Sequence, residues 1–130
     1  MKVRDLIRRP PITISRDATL LDAADALTRH GIGALVVVDK ERPDVPVAVL
    51  SERDIVRAIS ARLPLSTPVE AFMSTSLITI EADEPLTRAA ELMWMYNIRH
   101  LVVMEGGRMV GVISVRDVIN PQRLKEVCRE

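Results

Sequence analysis

A hydroxyl, a guanidinium and a carboxylate occur twice at the same spacing, in Ser51-Glu52-Arg53-Asp54-Ile55-Val56 and in Ser114-Val115-Arg116-Asp117-Val118-Ile119. Each follows an apolar run, Val47-Ala48-Val49-Leu50 or Val110-Gly111-Val112-Ile113. A strand that ends in Ser-x-Arg-Asp and opens a helix presents all three groups at one exposed corner. Two chemistries compete there. In the first, serine at the N-cap and the acid three residues on form a capping box, which stabilises a helix start by about 1 kcal/mol and needs no ligand. In the second, the free amides and positive dipole end of the helix meet a phosphate. The arginine then adds a charged fork, and the aspartate accepts from the vicinal diol of a ribose. A cap does not require the arginine, which is present in both copies. The two readings are compatible, because a ligand can replace the acid's side of the box. Two such corners point to a paired binding device for a nucleoside monophosphate rather than to one catalytic centre.

The elements that would hold these corners also repeat. At an offset of 66, Thr13-Ile14 meets Thr79-Ile80, Asp17 meets Asp83, Leu20 meets Leu86 and Leu35-Val36-Val37 meets Leu101-Val102-Val103. The offset then falls to 63, pairing Ser51 with Ser114 and Asp54 with Asp117. The three extra residues fall in Lys40–Pro46, opposite the short turn Glu105-Gly106-Gly107-Arg108, which predicts a longer hairpin loop in the first copy. Leu20, Ala23, Ala24 and Leu27, like Leu86, Ala89, Ala90 and Met93, recur at helical spacing. Pro85 suits a first helical turn, and Gly31 and Asn97 suit the left-handed position that closes a helix. Leu35–Val38 and Leu101–Met104 read as strands buried on both faces. The order per copy is β-α-β-β-α. Short amphipathic helices are predicted before each copy, over Val3–Ile7 and Val69–Met73, the second capped by Thr67-Pro68-Val69-Glu70. The predicted domains are repeat 1 over 1–59, a linker over 60–67 that docks the halves, and repeat 2 with a C-terminal tail over 68–130.

Composition narrows the classes. A chain of 130 residues, 48% hydrophobic, can bury roughly two-thirds of its unfolded surface. Aromatics are 2%, so the core must be aliphatic and base-stacking platforms are disfavoured. Lys+Arg and Asp+Glu both number 18, so a basic nucleic-acid footprint is missing and nucleic acid is an unfavoured partner. Cys128 is the one cysteine, which excludes an intrachain disulfide or cysteine-rich zinc site. No apolar stretch approaches the roughly 18 residues of a membrane span, and the N-terminus lacks a signal-peptide core. A cytoplasmic protein without membrane partners is expected. His30 and His100 are the only histidines and no glycine-rich phosphate loop is present, so an enzyme is not expected, and neither are catalytic or metal-binding residues.

The order of these pieces resembles the cystathionine-β-synthase (CBS) domain, and the tandem pair resembles a Bateman module. The resemblance runs from about Val3 to Ile119. It rests on Gly31-Ile32-Gly33-Ala34-Leu35-Val36, on Ile98-Arg99-His100-Leu101-Val102-Val103 and on both Ser-x-Arg-Asp corners. It implies an α/β fold of two repeats packed with pseudo-two-fold symmetry into a disc, with adenosine compounds held in clefts between them. By the same resemblance Asp54 and Asp117 hold ribose hydroxyls, and Ser51 and Ser114 face ribose or phosphate beside Arg53 and Arg116. Backbone at Thr13-Ile14 and Thr79-Ile80 lines the adenine. Gly111 is the family's usual small residue before the corner, and Ala48 departs slightly from it.

The copies are chemically unequal. Arg99 and His100 correspond to Gly33 and Ala34. If these positions face the opposite repeat, the Ser51–Asp54 corner gains a cation and an imidazole, whereas Gly111 lets a ligand approach the other corner closely. Trp94 and Met95 lie off the core face of their helix, which marks a subunit interface. CBS pairs dimerise through such helices, so the resemblance implies a homodimer. The leading expectation is a stand-alone regulatory sensor for AMP or a related adenosine nucleotide, with no covalent cofactor and an effector protein acting in trans. The alternatives are a ligand-independent scaffold and a binder of ATP, S-adenosylmethionine or NAD.

Overall fold

The computed structural model describes residues 1–8 and 10–124; Cys128 lies outside them. The chain divides into two compact units, Ile12–Leu77, and Met1–Pro11 together with the chain from Ile78 onward.

The unit of Ile12–Leu77 contains β1 (Thr13–Ser15), α1 (Leu20–His30), β2 (Ala34–Asp39), β3 (Arg42–Ser51) and α2 (Glu52–Ser60). Its sheet has the order β1-β2-β3, with β1 parallel and β3 antiparallel to β2. The central strand is buried from Ala34 to Val38, as its unbroken apolar run requires. Helix α1 starts at Thr19, whose Oγ1 accepts from the Asp22 amide while Asp22 Oδ2 accepts from the Thr19 amide. It ends at Gly31, which takes the left-handed conformation at φ 62°. Ala23, Ala26 and Leu27 of α1 meet Leu35, Val37, Ala48, Leu50 and Val69 in one aliphatic core.

The second unit repeats this order as β4 (Thr79–Glu81), α3 (Leu86–Tyr96), β5 (His100–Glu105), β6 (Arg108–Ser114) and α4 (Val115–Val118). Its sheet order is β4-β5-β6, and Asn97 closes α3 at φ 52°. Its core includes Leu86, Ala89, Met93, Leu101, Val103 and Ile113, together with Val3 and Leu6 from the N-terminal segment.

Four local expectations change. The segments before each copy are 3-10 turns, Val3–Leu6 and Val69–Ala71, because only one or two apolar residues per segment need burial. Thr67 does not cap the second turn; Pro68 holds that position and the Thr67 hydroxyl donates to Pro64 O. Pro85 is the N-cap of α3 rather than a first-turn residue. Lys40–Pro46 is mostly strand, since only Lys40-Glu41 separate β2 from β3. Val38 stands opposite Pro46 and Asp39 opposite Arg42, so Pro43-Asp44-Val45 is absorbed as a bulge. Proline lacks a ladder donor, and an edge strand at a bulge is where that lack is tolerated. The second hairpin turns through Gly106-Gly107 at φ 60° and 77°, as a two-residue turn demands.

The linker is held to the first unit. The Leu20 amide donates to Thr67 O and the Leu21 amide to Leu65 O. Arg16 ties the same region down through Asp39 Oδ1 at 3.0 Å and Glu70 Oε2 at 3.2 Å. The Asp39 hydrogen bond, more than Glu70, raises the guanidinium's pKa above its ordinary value.

Candidate functional site

Both corners form as strand-to-helix junctions. Asp54 Oδ2 accepts from the Ser51 amide at 2.8 Å and from the Ser51 hydroxyl at 3.1 Å. Asp117 Oδ2 does the same for Ser114 at 2.8 and 3.1 Å. The acid half of the capping box is therefore present twice. The next helical amides are also satisfied, Glu52 N–H by Gly33 O at 3.1 Å and Val115 N–H by Arg99 O at 2.8 Å. In each carboxylate the second oxygen, Oδ1, has no hydrogen bond among the described residues. Both aspartates are half-buried, so each keeps one acceptor oxygen without a hydrogen bond in a partly sheltered position.

The strand register decides which other site residues come together. Ala34 lies opposite Ser51, and His100 opposite Ser114. Gly33-Ala34 thus flank the first corner and Arg99-His100 the second, each within its own unit. Arg99 is exposed and His100 half-buried. Arg53 and Arg116 are exposed and make no ion pair among the described residues. Thr13 and Thr79 are exposed on the far edge strands, where they pair with Val36 and Val102. Ile14 is half-buried, whereas Ile80 is only 4% exposed in the core, so only its backbone can meet a ligand.

At Gly111 the missing side chain has a packing reason. A Cβ there would lie 2.8 Å from Ile7 Cγ2 and 3.0 Å from Cγ1. Ile7 fills the space that a side chain at 111 would take.

The sequence reading missed Arg57. It lines an open groove of about 240 Å³ with Asp54, Ala58, Phe72, Met73 and Ser74, all within Ile12–Leu77. The signal was available, because residues three apart share a helix face and Arg57 follows Asp54 by three. Among the described residues no cluster of His, Cys, Asp or Glu could hold a metal ion. None of the described helices is long and apolar enough to cross a membrane. Trp94 is 90% exposed and Met95 62%, off the buried face of α3.

This doubled β-α-β-β-α architecture with two Ser-x-x-Asp junctions defines a tandem repeat protein of the α/β class. The chain belongs to the CBS domain family, whose model matches residues 3–61 and 69–121. It is similar to a CBS domain protein from Pyrobaculum aerophilum solved in complex with AMP, at 36% identity and a TM-score of 0.94 over 100% of both chains. It is also similar to the CBS domain pair of protein MJ0100, solved with 5′-methylthioadenosine and S-adenosyl-L-methionine. That match has 28% identity and a TM-score of 0.85, covering 96% of this chain and 98% of that one. Among curated relatives, YhcV, a CBS domain-containing protein of Bacillus subtilis, is 30% identical over 95% of this chain and 87% of its own length. The chain spans 52% of CBSX3, a mitochondrial CBS domain-containing protein of Arabidopsis thaliana, at 36% identity over 79% of this chain.

Proposed function

We propose that this chain is a regulatory module that binds an adenosine compound, AMP or a related nucleotide first, at the Ser51–Asp54 and Ser114–Asp117 corners. The observation that carries the reading is the pair of half-buried carboxylates, each with one oxygen held by its own serine and the other open. An open carboxylate oxygen beside a helix start suits a ribose hydroxyl. The complexes of the Pyrobaculum aerophilum protein with AMP and of the MJ0100 pair with two adenosyl compounds support it. The repeats 1–59 and 68–130, joined by 60–67, are taken to act as one binding device to which Arg99 and His100 contribute polar side chains. Thr13-Ile14, Thr79-Ile80 and Gly111 contribute backbone, and Arg53 and Arg116 contribute charge. Output passes in trans to an effector, without catalysis, from a cytoplasmic homodimer.

Calorimetric titration with AMP tests this. Saturable binding by the native chain, lost in the folded Asp54→Ala/Asp117→Ala variant, is expected. A second reading has its own observation: the capping interactions already occupy both serines, and Trp94 and Met95 stand exposed. In a ligand-independent scaffold the aspartate substitutions would lower stability only, and Trp94→Ala would break assembly.

A further inference from the structure

We propose that Arg57 makes the first corner selective for a phosphorylated adenosine compound over an uncharged one; this rests on the adenosine-compound reading above. Three features of the molecule meet at this residue. The groove it lines with Asp54 has an apolar wall of Ala58, Phe72 and Met73 and a hydroxyl at Ser74. At about 240 Å³ the groove lies just below the roughly 300–1,000 Å³ of whole small-molecule sites, so it suits one end of a nucleotide.

The charge pattern supplies the second feature. Asp54, three residues before Arg57, is spaced for an ion pair on the helix surface, but its Oδ2 is committed to Ser51. Arg57 makes no ion pair among the described residues. Arg53 lies one turn before it, and like charges at that spacing repel. Two exposed guanidiniums that make no ion pair among the described residues leave a positive position beside the Asp54 carboxylate. A phosphate one sugar ring away from Asp54 would answer it with a charge-assisted, forked contact.

The third feature is the internal control. By the repeat correspondence that pairs Asp54 with Asp117, Arg57 is replaced by Asn120 in the second copy, although Arg53 is retained as Arg116. The second corner therefore lacks this cation, and the preference belongs to the first.

The test uses the full chain carrying Asp117→Ala, which leaves the first corner as the binding site, titrated separately with AMP and with 5′-methylthioadenosine. Adding Arg57→Gln should weaken AMP about tenfold, leave 5′-methylthioadenosine within about twofold, and flatten the salt dependence of AMP binding. Arg57→Lys, which keeps the charge without the fork, should recover part of the loss. Equal losses for both ligands, or none for either, would overturn the role of Arg57 while the corner still binds. If the parent binds neither ligand and the native chain also binds neither, the functional reading fails and the inference with it. If only the native chain binds, the first corner is not a site and the inference is overturned alone.

Discussion

At the residue scale, Ile7 packs directly against Gly111. A Cβ at 111 would stand 2.8 Å from a β-branched side chain that has few rotamers in which to yield. Gly111→Ala should lower stability by about 1–3 kcal/mol, the usual cost of overpacking, read from the denaturant midpoint. Adding Ile7→Ala should make the two effects strongly non-additive; simple additivity would show that the contact is not the cause. Charge at a helix start gives a second prediction. The Thr19 amide, and then its hydroxyl, hold Asp22 below the ordinary aspartate pKa. Because the folded value is depressed, the stabilisation is full above the unfolded value near 3.8 and fades as pH falls through the lower folded value. Asp17 is lowered as well, chiefly by the Ser15 hydroxyl and then by Lys40. Carboxyl NMR titration of Thr19→Ala, which removes the hydroxyl and keeps the amide, should show Asp22 moving only part of the way back up and Asp17 unchanged; an unmoved Asp22 would refute the hydroxyl's share.

At the element scale, the division into units does not follow the order in which the repeats are written. The N-terminal turn Val3–Leu6 precedes repeat 1 in sequence but belongs to the core of the second unit. Backbone bonds from Val3 to Glu84 O and from Arg4 to Ala82 O, both 2.9 Å, fix it there. Leu6→Ala should cost about 2–5 kcal/mol. Its hydrogen-exchange signature should be a loss of protection at Leu101 and Val103, with Leu35 and Val37 unaffected; softening at Leu35 and Val37 instead would contradict the partition. This pairing was not legible in the sequence. The repeat and the element order were, because strand period, helix period and αL closures at Gly31 and Asn97 are local signals. Membership of Val3 and Leu6 in a distant core is not local. The bulge at Pro43-Asp44-Val45 escaped for a related reason: turn-type residues signalled a loop, but pairing with β2 overrode them. At the corners, serine and aspartate were legible from spacing, whereas Arg57 emerged only when the Phe72–Ser74 segment was seen to complete its groove.

At the scale of the whole molecule, the two units carry the same corner chemistry. Each presents a carboxylate with one oxygen bonded to its own serine and the other without a hydrogen bond among the described residues. Binding to the folded chain alone must raise its melting temperature in proportion to RT ln(1 + [L]/Kd). The central claim therefore has a direct measurement: isothermal titration of the native chain with AMP, beside the Asp54→Ala/Asp117→Ala variant. The variant should stay folded, since loss of each capping contact costs about 1 kcal/mol. Saturable heat in the native chain, accompanied by a rise in melting temperature, is expected, with no heat in the folded variant. Absence of heat and of any melting shift in the native chain with AMP, 5′-methylthioadenosine and S-adenosylmethionine alike would contradict that claim.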